Sequence, residues 1–355
     1  MNSKIIANGI LRALGLFYFL YQIESVIVYI LIAVVISLIG RPIVLFLENR
    51  LKFKNTIAVI VTMLLLIGLF VGLVLLFVPL IVEQGRNLSL LDIDRLQANI
   101  ENLYKEVISY FRVNNINIEQ SFENSSLLSK IDYSIIPNFL NSIISGLGSF
   151  SVGLFSVLFI SFFFLKDSKL FENGILIFIP DSKESRLTNS YNKIKDLLSR
   201  YFIGLIFQIL ILFIIYTVGL LIVGVKNAVV IAFLGALLNL IPYIGPLISG
   251  FLMLTLTMTS NLDQDFATII FSTSIWVFMV FVFGQLVDNF GSQPIIFSKS
   301  VKSHPLEIFL VILIAGILFG VVGLIVAIPA YTAIKVVLKE FLSENEIVKK
   351  LTKGL

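Results

Sequence analysis

The stretch ALLNLIPYIGPLISGF, residues 236–251, decides how this chain is read. It lies inside an apolar run long enough to cross a bilayer, yet Pro242, Gly245 and Pro246 interrupt it. Proline has no backbone N–H and its ring clashes with the preceding turn, so two prolines four apart are hard to fit into one continuous helix. In hydrocarbon the carbonyls freed by such a break find no water. Irregular backbone at that depth is tolerated where it is buried in protein or lines a cavity. The motif therefore predicts the tip of a hairpin that turns back within the membrane.

The surrounding composition identifies the solvent. Of 355 residues, 58% are hydrophobic and 14% charged, with a mean hydropathy of +1.01, far above a soluble domain. The apolar segments are continuous runs of roughly 15 to 25 residues without in/out alternation, which argues against a β-barrel. The fold class is all-α: a polytopic helical protein of the lipid bilayer. There is no cysteine and one histidine, His304, which removes thiolate metal sites, disulfides and multi-histidine clusters. No phosphate loop, catalytic carboxylate pair or nucleophile constellation stands out, so an enzyme is disfavoured and no cofactor or metal is expected. The net charge of +4 reads as a topology signal, with no nucleic acid partner.

Apolar runs fall at about residues 5–21, 25–39, 56–82, 142–165, 202–223, 228–259, 266–287 and 306–337. They divide the chain into N-terminal transmembrane helices over 1–82, beginning with an uncleaved helix, and an extracytoplasmic helical excursion over 83–140. A transmembrane helix plus a cytoplasmic amphipathic helix follow over 141–201, then a transport unit over 202–341 and a cytoplasmic tail over 342–355. Most of the 26 lysines and arginines lie near the two termini, in 41–54, in 166–200 and at Lys299 and Lys302. Under the positive-inside rule these stretches, and both termini, are cytoplasmic.

By their flanking charges, two runs, 228–259 and 306–337, each start and end on the same side. Each divides into arms of roughly 14 residues, about 21 Å, too short for a hydrocarbon core of about 30 Å. The first breaks at IPYIGP. The second breaks within GILFGVVG, where Gly316, Gly320 and Gly323 permit a tight reversal. The order span, hairpin, span, hairpin, with the hairpins entering from opposite faces, predicts two re-entrant helical hairpins in an inverted repeat. A binding site is expected where the two tips meet near the midplane.

Polar residues in these runs are the candidate site. Asn239 offers an amide at the first tip, where the arm beginning near Leu247 also points its N–H groups; the competing reading is a packed kink. Gln285 and Asp288, three apart on one face, adjoin Asn289. Asp288 is either a gate or proton-linked acid or an ordinary interfacial charge at a helix end. Gln208 is a ligand contact or an interhelical hydrogen bond, and His304 a titrating group or a helix cap. The glycine and serine face at 145–156 is read as helix packing.

The stretches LLNLIPYIGPLISG (237–250) and GQLVDNFGSQPIIFSKSVKSHPLEIFLVILIAGILFGVVGLIVAIPAYTAIKVVLKEF (284–341) resemble the autoinducer-2 exporter family of bacterial membrane proteins, as do the eight runs and the short RPIVLFLENR. The resemblance implies a multispanning inner-membrane transporter, often a homo-oligomer, whose relatives are described as exporters of a quorum-sensing signal or as sodium/proton antiporters. On this chain its motifs fall on Pro242, Gly245 and Pro246, on Asp288 and Asn289, on Pro294, on His304 and Pro305, and on Gly316, Gly320 and Gly323. The expectation is export of a small polar solute, autoinducer-2 by resemblance, through alternating access. The alternatives are sodium/proton antiport, with H+ or Na+ as partner, and a non-transporting scaffold. An antiporter wants a membrane-embedded acid, and an Asp288 at a helix end favours export.

Overall fold

The computed structural model describes residues 15, 18–19, 22–87, 101–102, 105–106, 108–109, 153–167, 169–177, 180, 184–241, 243–260, 266–300, 303–343 and 345–352. Most of the expected first helix and nearly all of the 83–140 excursion lie outside them, as do Pro242 and Lys302. Every described element is helical: α1 (Glu24–Asn49), α2 (Asn55–Asn87), α3 (Gly153–Lys166), α4 (Leu170–Leu176), α5 (Glu184–Val223), α6 (Ala228–Leu238), α7 (Ile244–Thr259), α8 (Phe271–Val287), α9 (Gln293–Ser300), α10 (Pro305–Phe341) and α11 (Glu346–Leu351). Wider π turns, Phe266–Ile270 and Asp288–Ser292, flank α8. Four segments are long and apolar enough to cross a membrane: Glu24–Asn49, Asn55–Phe77, Glu184–Val223 and Thr268–Ile296.

The chain divides into two compact units, residues 1–69 with 147–188, and residues 70–146 with 189–355. In the first, Val44 and Leu47 of α1, Ala58, Val59 and Met63 of α2 and Leu165 of α3 form the core. The helices approach closely because their facing residues are small: a Cβ on Gly40 would lie 3.2 Å from both Leu165 and Thr62, and one on Gly153 would lie 2.8 Å from the Tyr29 ring. Of the predicted 145–156 packing face, residues 145–152 lie outside the described residues. Hydroxyls in this packing return to their own helix, Thr62 to the Ala58 carbonyl and Ser161 to that of Val157, so none is left unpaired in apolar surroundings. Helix α1 runs ten residues beyond the expected apolar stretch, through Pro42, and the basic turn contracts to the residues around Lys52, at φ +58°.

The second unit holds the broken runs. Its core joins Leu212, Tyr216 and Leu220 of α5, most of α6, Leu252, Met253 and Leu256 of α7 and Val277 of α8. Phe77 stacks on Phe233 with ring centroids 3.7 Å apart, and both rings meet Phe213 edge-on. Helices α6 and α7 fold back on each other. A Cβ on Gly235 would lie 3.0 Å from the Met253 sulfur, and Ser249 Oγ donates to the Gly235 carbonyl at 2.9 Å. At the reversal Tyr243 takes φ +65°, and a Cβ on Gly245 would lie 2.1 Å from the Leu238 carbonyl oxygen. Only glycine fits there.

Helix α10 is also a hairpin. Gly320 takes φ +61° and ψ −143° and breaks the helix, a backbone region that is essentially glycine's alone. The two arms then touch. A Cβ on Gly323 would lie 2.0 Å from the Ala315 carbonyl oxygen, and one on Gly316 would lie 2.5 Å from the Leu324 side chain. At the other end Lys335 Nζ donates to Ser303 Oγ at 2.7 Å and pairs with Glu307 at 3.3 Å. The contact pairs 303–335, 307–335, 315–323 and 316–324 describe one antiparallel reversal centred on Gly320. The apolar surface between the arms and their neighbours gathers Ile308, Ile312, Ala327 and Ile328 with Tyr201, Leu205 and Ile296.

Candidate functional site

Inside the second unit, amide, phenol and carboxylate groups from three elements converge in otherwise apolar packing. Helix α5 supplies Gln208 and Tyr216, buried on a face two turns long. This helix is a single 40-residue rod: the surface helix and the span that the sequence separated are continuous. Helix α8 and the π turn supply Gln285 and Asp288, and the α6–α7 reversal supplies Asn239 and Ser249.

Gln285 is the hub. Its Nε2 donates to the Tyr216 hydroxyl at 2.8 Å and to Asn239 Oδ1 at 2.9 Å. Asn239 Nδ2 in turn donates to the Gly235 carbonyl at 2.8 Å, the same oxygen that Ser249 reaches. One helix turn on, Asp288 is fully buried. Its Oδ2 accepts from Gln208 Nε2 at 3.0 Å and from Gln293 Nε2 at 2.8 Å. Gln293 Nε2 further reaches Asn289 Oδ1 at 3.2 Å. Two oxygens, Gln285 Oε1 and Asp288 Oδ1, are buried without a partner.

The structure thus brings together five of the expected residues: Asn239, Gln208, Gln285, Asp288 and Asn289. Gly245 shapes the reversal beside them, Pro246 is half-buried in the first turn of α7, and Pro242 lies outside the described residues. His304 takes the cap position of α10, where its Nδ1 accepts from Leu306 N–H while Glu307 accepts from the His304 N–H; it is exposed and makes no bond to the cluster. Gly316, Gly320 and Gly323 form the second reversal, but its neighbours Ile317, Leu318 and Phe319 are exposed. Tyr243 at the first tip packs edge-on against Phe309, on an arm of the second hairpin, with ring centroids 5.2 Å apart.

Asp288 also differs from its expected place at a helix end. The helix continues through the π turn to Ser300. Pro294 would clash with the carbonyl four residues back in a regular helix, and a widened turn relieves this without ending the rod. That turn explains what sequence reasoning missed. Gln293 is five residues from Asp288, off its face in an α-helix but directly below it in a π turn. Tyr216 and Ser249 were hidden because an aromatic and a lone serine in apolar runs read as core and packing; the eight-residue step from Gln208 to Tyr216 on one face was the available signal.

With no cation beside Asp288 among the described residues, the cluster is rich in acceptors and suits a ligand that brings donors or positive charge. Three or more acidic or histidine ligands for a metal do not gather anywhere among the described residues. Comparison with known proteins places these motifs in context. The family model described as AI-2E family transporter matches residues 10–343. YueF of Bacillus subtilis (strain 168) is 27% identical over 328 residues, covering 89% of this chain and 84% of its own. YrrI of the same organism is 29% identical over 184 residues, 52% of this chain and 50% of its own. MJ1177 of Methanocaldococcus jannaschii is 25% identical over 234 residues, 63% and 66% of the two chains. All three carry provisional transport-protein names.

Proposed function

Because the chain belongs to the AI-2E family of transporters, a family of membrane proteins, we propose that it moves a small polar solute across the bacterial inner membrane by alternating access. The polar cluster of the second unit is the binding site, and both helical hairpins are re-entrant, entering from opposite faces. The termini are cytoplasmic, and the protein works as a homo-oligomer.

One observation carries this reading. The Gln285 amide ties a long apolar span to the Asn239 end of α6 at the first reversal, so occupancy of the cluster and the position of that hairpin depend on each other. A site made of amide and carboxylate oxygens with one phenol recognises a donor-rich molecule such as a polyol. Autoinducer-2, the signal the family resemblance implies, is of that class, and export is the direction it implies.

Cation/proton exchange is the second reading. It gains from the burial of Asp288 and from the continuation of its helix, since an acid embedded in an apolar span is the usual ion carrier.

The chain has no native cysteine, so single cysteines at Ser260 and Lys299 report topology directly in intact cells. Labelling from opposite sides is expected; labelling from one side contradicts the inverted arrangement. Flux of a panel of small polyols and of Na+ in proteoliposomes, with and without a pH gradient, separates the two readings. Uptake that needs no solute and follows Na+ alone would replace the first with the second.

A further inference from the structure

A line of polar side chains runs outward from the buried cluster to the surface of its own rod. Asp288 is fully buried, Gln293 is half-buried and Asn289 is exposed. One atom joins the three: Gln293 Nε2 donates inward to Asp288 Oδ2 at 2.8 Å and outward to Asn289 Oδ1 at 3.2 Å. A primary amide carries two N–H groups, so both are spent on this bridge. Behind it Gln208 Nε2, also buried, donates to the same carboxylate oxygen from α5 at 3.0 Å. The order Asn289, Gln293, Asp288, Gln208 thus passes from surface to interior through hydrogen bonds alone.

The outer end of that line lies where a polar group needs a reason. Asn289 belongs to the segment Thr268–Ile296, long and apolar enough to cross a membrane, and it sits about 16 Å from the end of the rod at Ser300. Its Oδ1 accepts from Gln293, while its Nδ2 meets no acceptor among the described residues. An unbonded amide facing hydrocarbon is costly, whereas one that lines a water-filled passage is not.

Resting on the reading of the cluster as the binding site, we propose that Asn289 lines a water-filled access path and that Gln293 is the gate between that path and Asp288. In the closed arrangement the Gln293 amide holds the outward approach to Oδ2. A solute hydroxyl or ammonium arriving at the gate donates first to Asn289 Oδ1 and then to Asp288 Oδ2 as Gln293 turns aside. Each acceptor passes from one donor to the next, so none is left bare in apolar surroundings. Opening asks only for a change of rotamer in a long, flexible side chain. The gate also screens: a solute without N–H or O–H groups cannot replace the amide without stranding the carboxylate.

The chain has no cysteine, so single cysteines in proteoliposomes read the path with the membrane-impermeant cationic thiol reagent MTSET, added to both faces. Asn289→Cys is expected to react. Gln208→Cys is expected to react slowly, and Gln293→Ala to accelerate it by roughly ten- to a hundredfold, the weight of one hydrogen bond to a charged acceptor. If the alanine variant does not fold, Gln293→Asn, whose amide is one methylene short of the carboxylate, gives the same acceleration. Ser274→Cys, buried on α8 where the native hydroxyl donates to the Ile270 carbonyl, stays protected and controls for general loosening. An Asn289→Cys that reacts only with an apolar maleimide sets that face against lipid or a second copy of the chain and overturns the path. Equal rates at Gln208→Cys with and without the Gln293 amide, or acceleration at Ser274→Cys as well, overturn the gate; with solute flux intact they leave the transport reading standing. Protection of Gln208→Cys that depends on Gln293, in a protein whose native form moves no solute, upholds the gate and removes the transport reading.

Discussion

Substituting Gly323 by alanine tests the second hairpin at its tightest point. The added Cβ would sit 2.0 Å from the Ala315 carbonyl oxygen and 2.6 Å from its carbon. A relaxed carbon–oxygen contact is about 3.3 Å, so the arms must part by about 1.3 Å. Both atoms belong to backbone, and no side chain can swing away to absorb the clash. Overpacking of this kind costs about 3 kcal/mol, the upper end of its usual range. Other glycines supply internal controls. At Gly320 nothing lies within 4 Å, so Gly320→Ala costs only the backbone strain of its φ, roughly 1 to 2 kcal/mol. At Gly316 the obstacle is the end of the Leu324 side chain, and about 1 kcal/mol suffices. At Gly72, in helix α2 with open space around it, alanine stabilises by about 0.5 kcal/mol through helix propensity. Denaturant unfolding in detergent micelles ranks the four. Equal midpoints for Gly323→Ala and Gly72→Ala would mean that the arms do not meet and that the reversal is wrongly placed.

Other outcomes follow from the same contacts. Lys335→Ala is expected to destabilise by about 3 kcal/mol, because it leaves a buried ion-pair site with one partner, while Lys335→Met, which keeps the packing, loses about half of that; a Lys335→Met variant that unfolds thermally at the native midpoint would deny the pair its role at the base of the hairpin. His304→Ala removes a cap and costs about 1 kcal/mol with unchanged solute flux, so a flux that changes its pH dependence would return His304 to the site. Gln208→Leu leaves the carboxylate of Asp288 one donor short and costs roughly 1 to 3 kcal/mol, with solute affinity falling in equilibrium binding; unaltered affinity would separate Gln208 from the site.

The broken runs were legible because hydrocarbon leaves the backbone so few options. A run of apolar residues interrupted by Gly245 and Pro246, or by Gly316, Gly320 and Gly323, has to turn back or line a cavity. Asn239, Gln208, Gln285 and Asp288 were legible for a related reason: polar groups are expensive in that solvent and are retained where they meet one another. Register was not legible. The amide of Gln293 reaches Asp288 only because Pro294 forces a wider turn, and no pattern based on 3.6 residues per turn shows that. The meeting of Tyr243 with Phe309 is likewise a matter of tertiary packing. His304 and Pro305 mark a helix start, and capping accounts for them.

The π turn at Asp288–Ser292 stores one surplus residue of slack in a helix that otherwise runs unbroken. If that slack slides along the rod, each residue it passes is swivelled by about 100° while the hydrogen-bonded spine on either side stays intact. A carboxylate seated at such a point can trade the company of one neighbouring helix for another with no hinge and no unwinding.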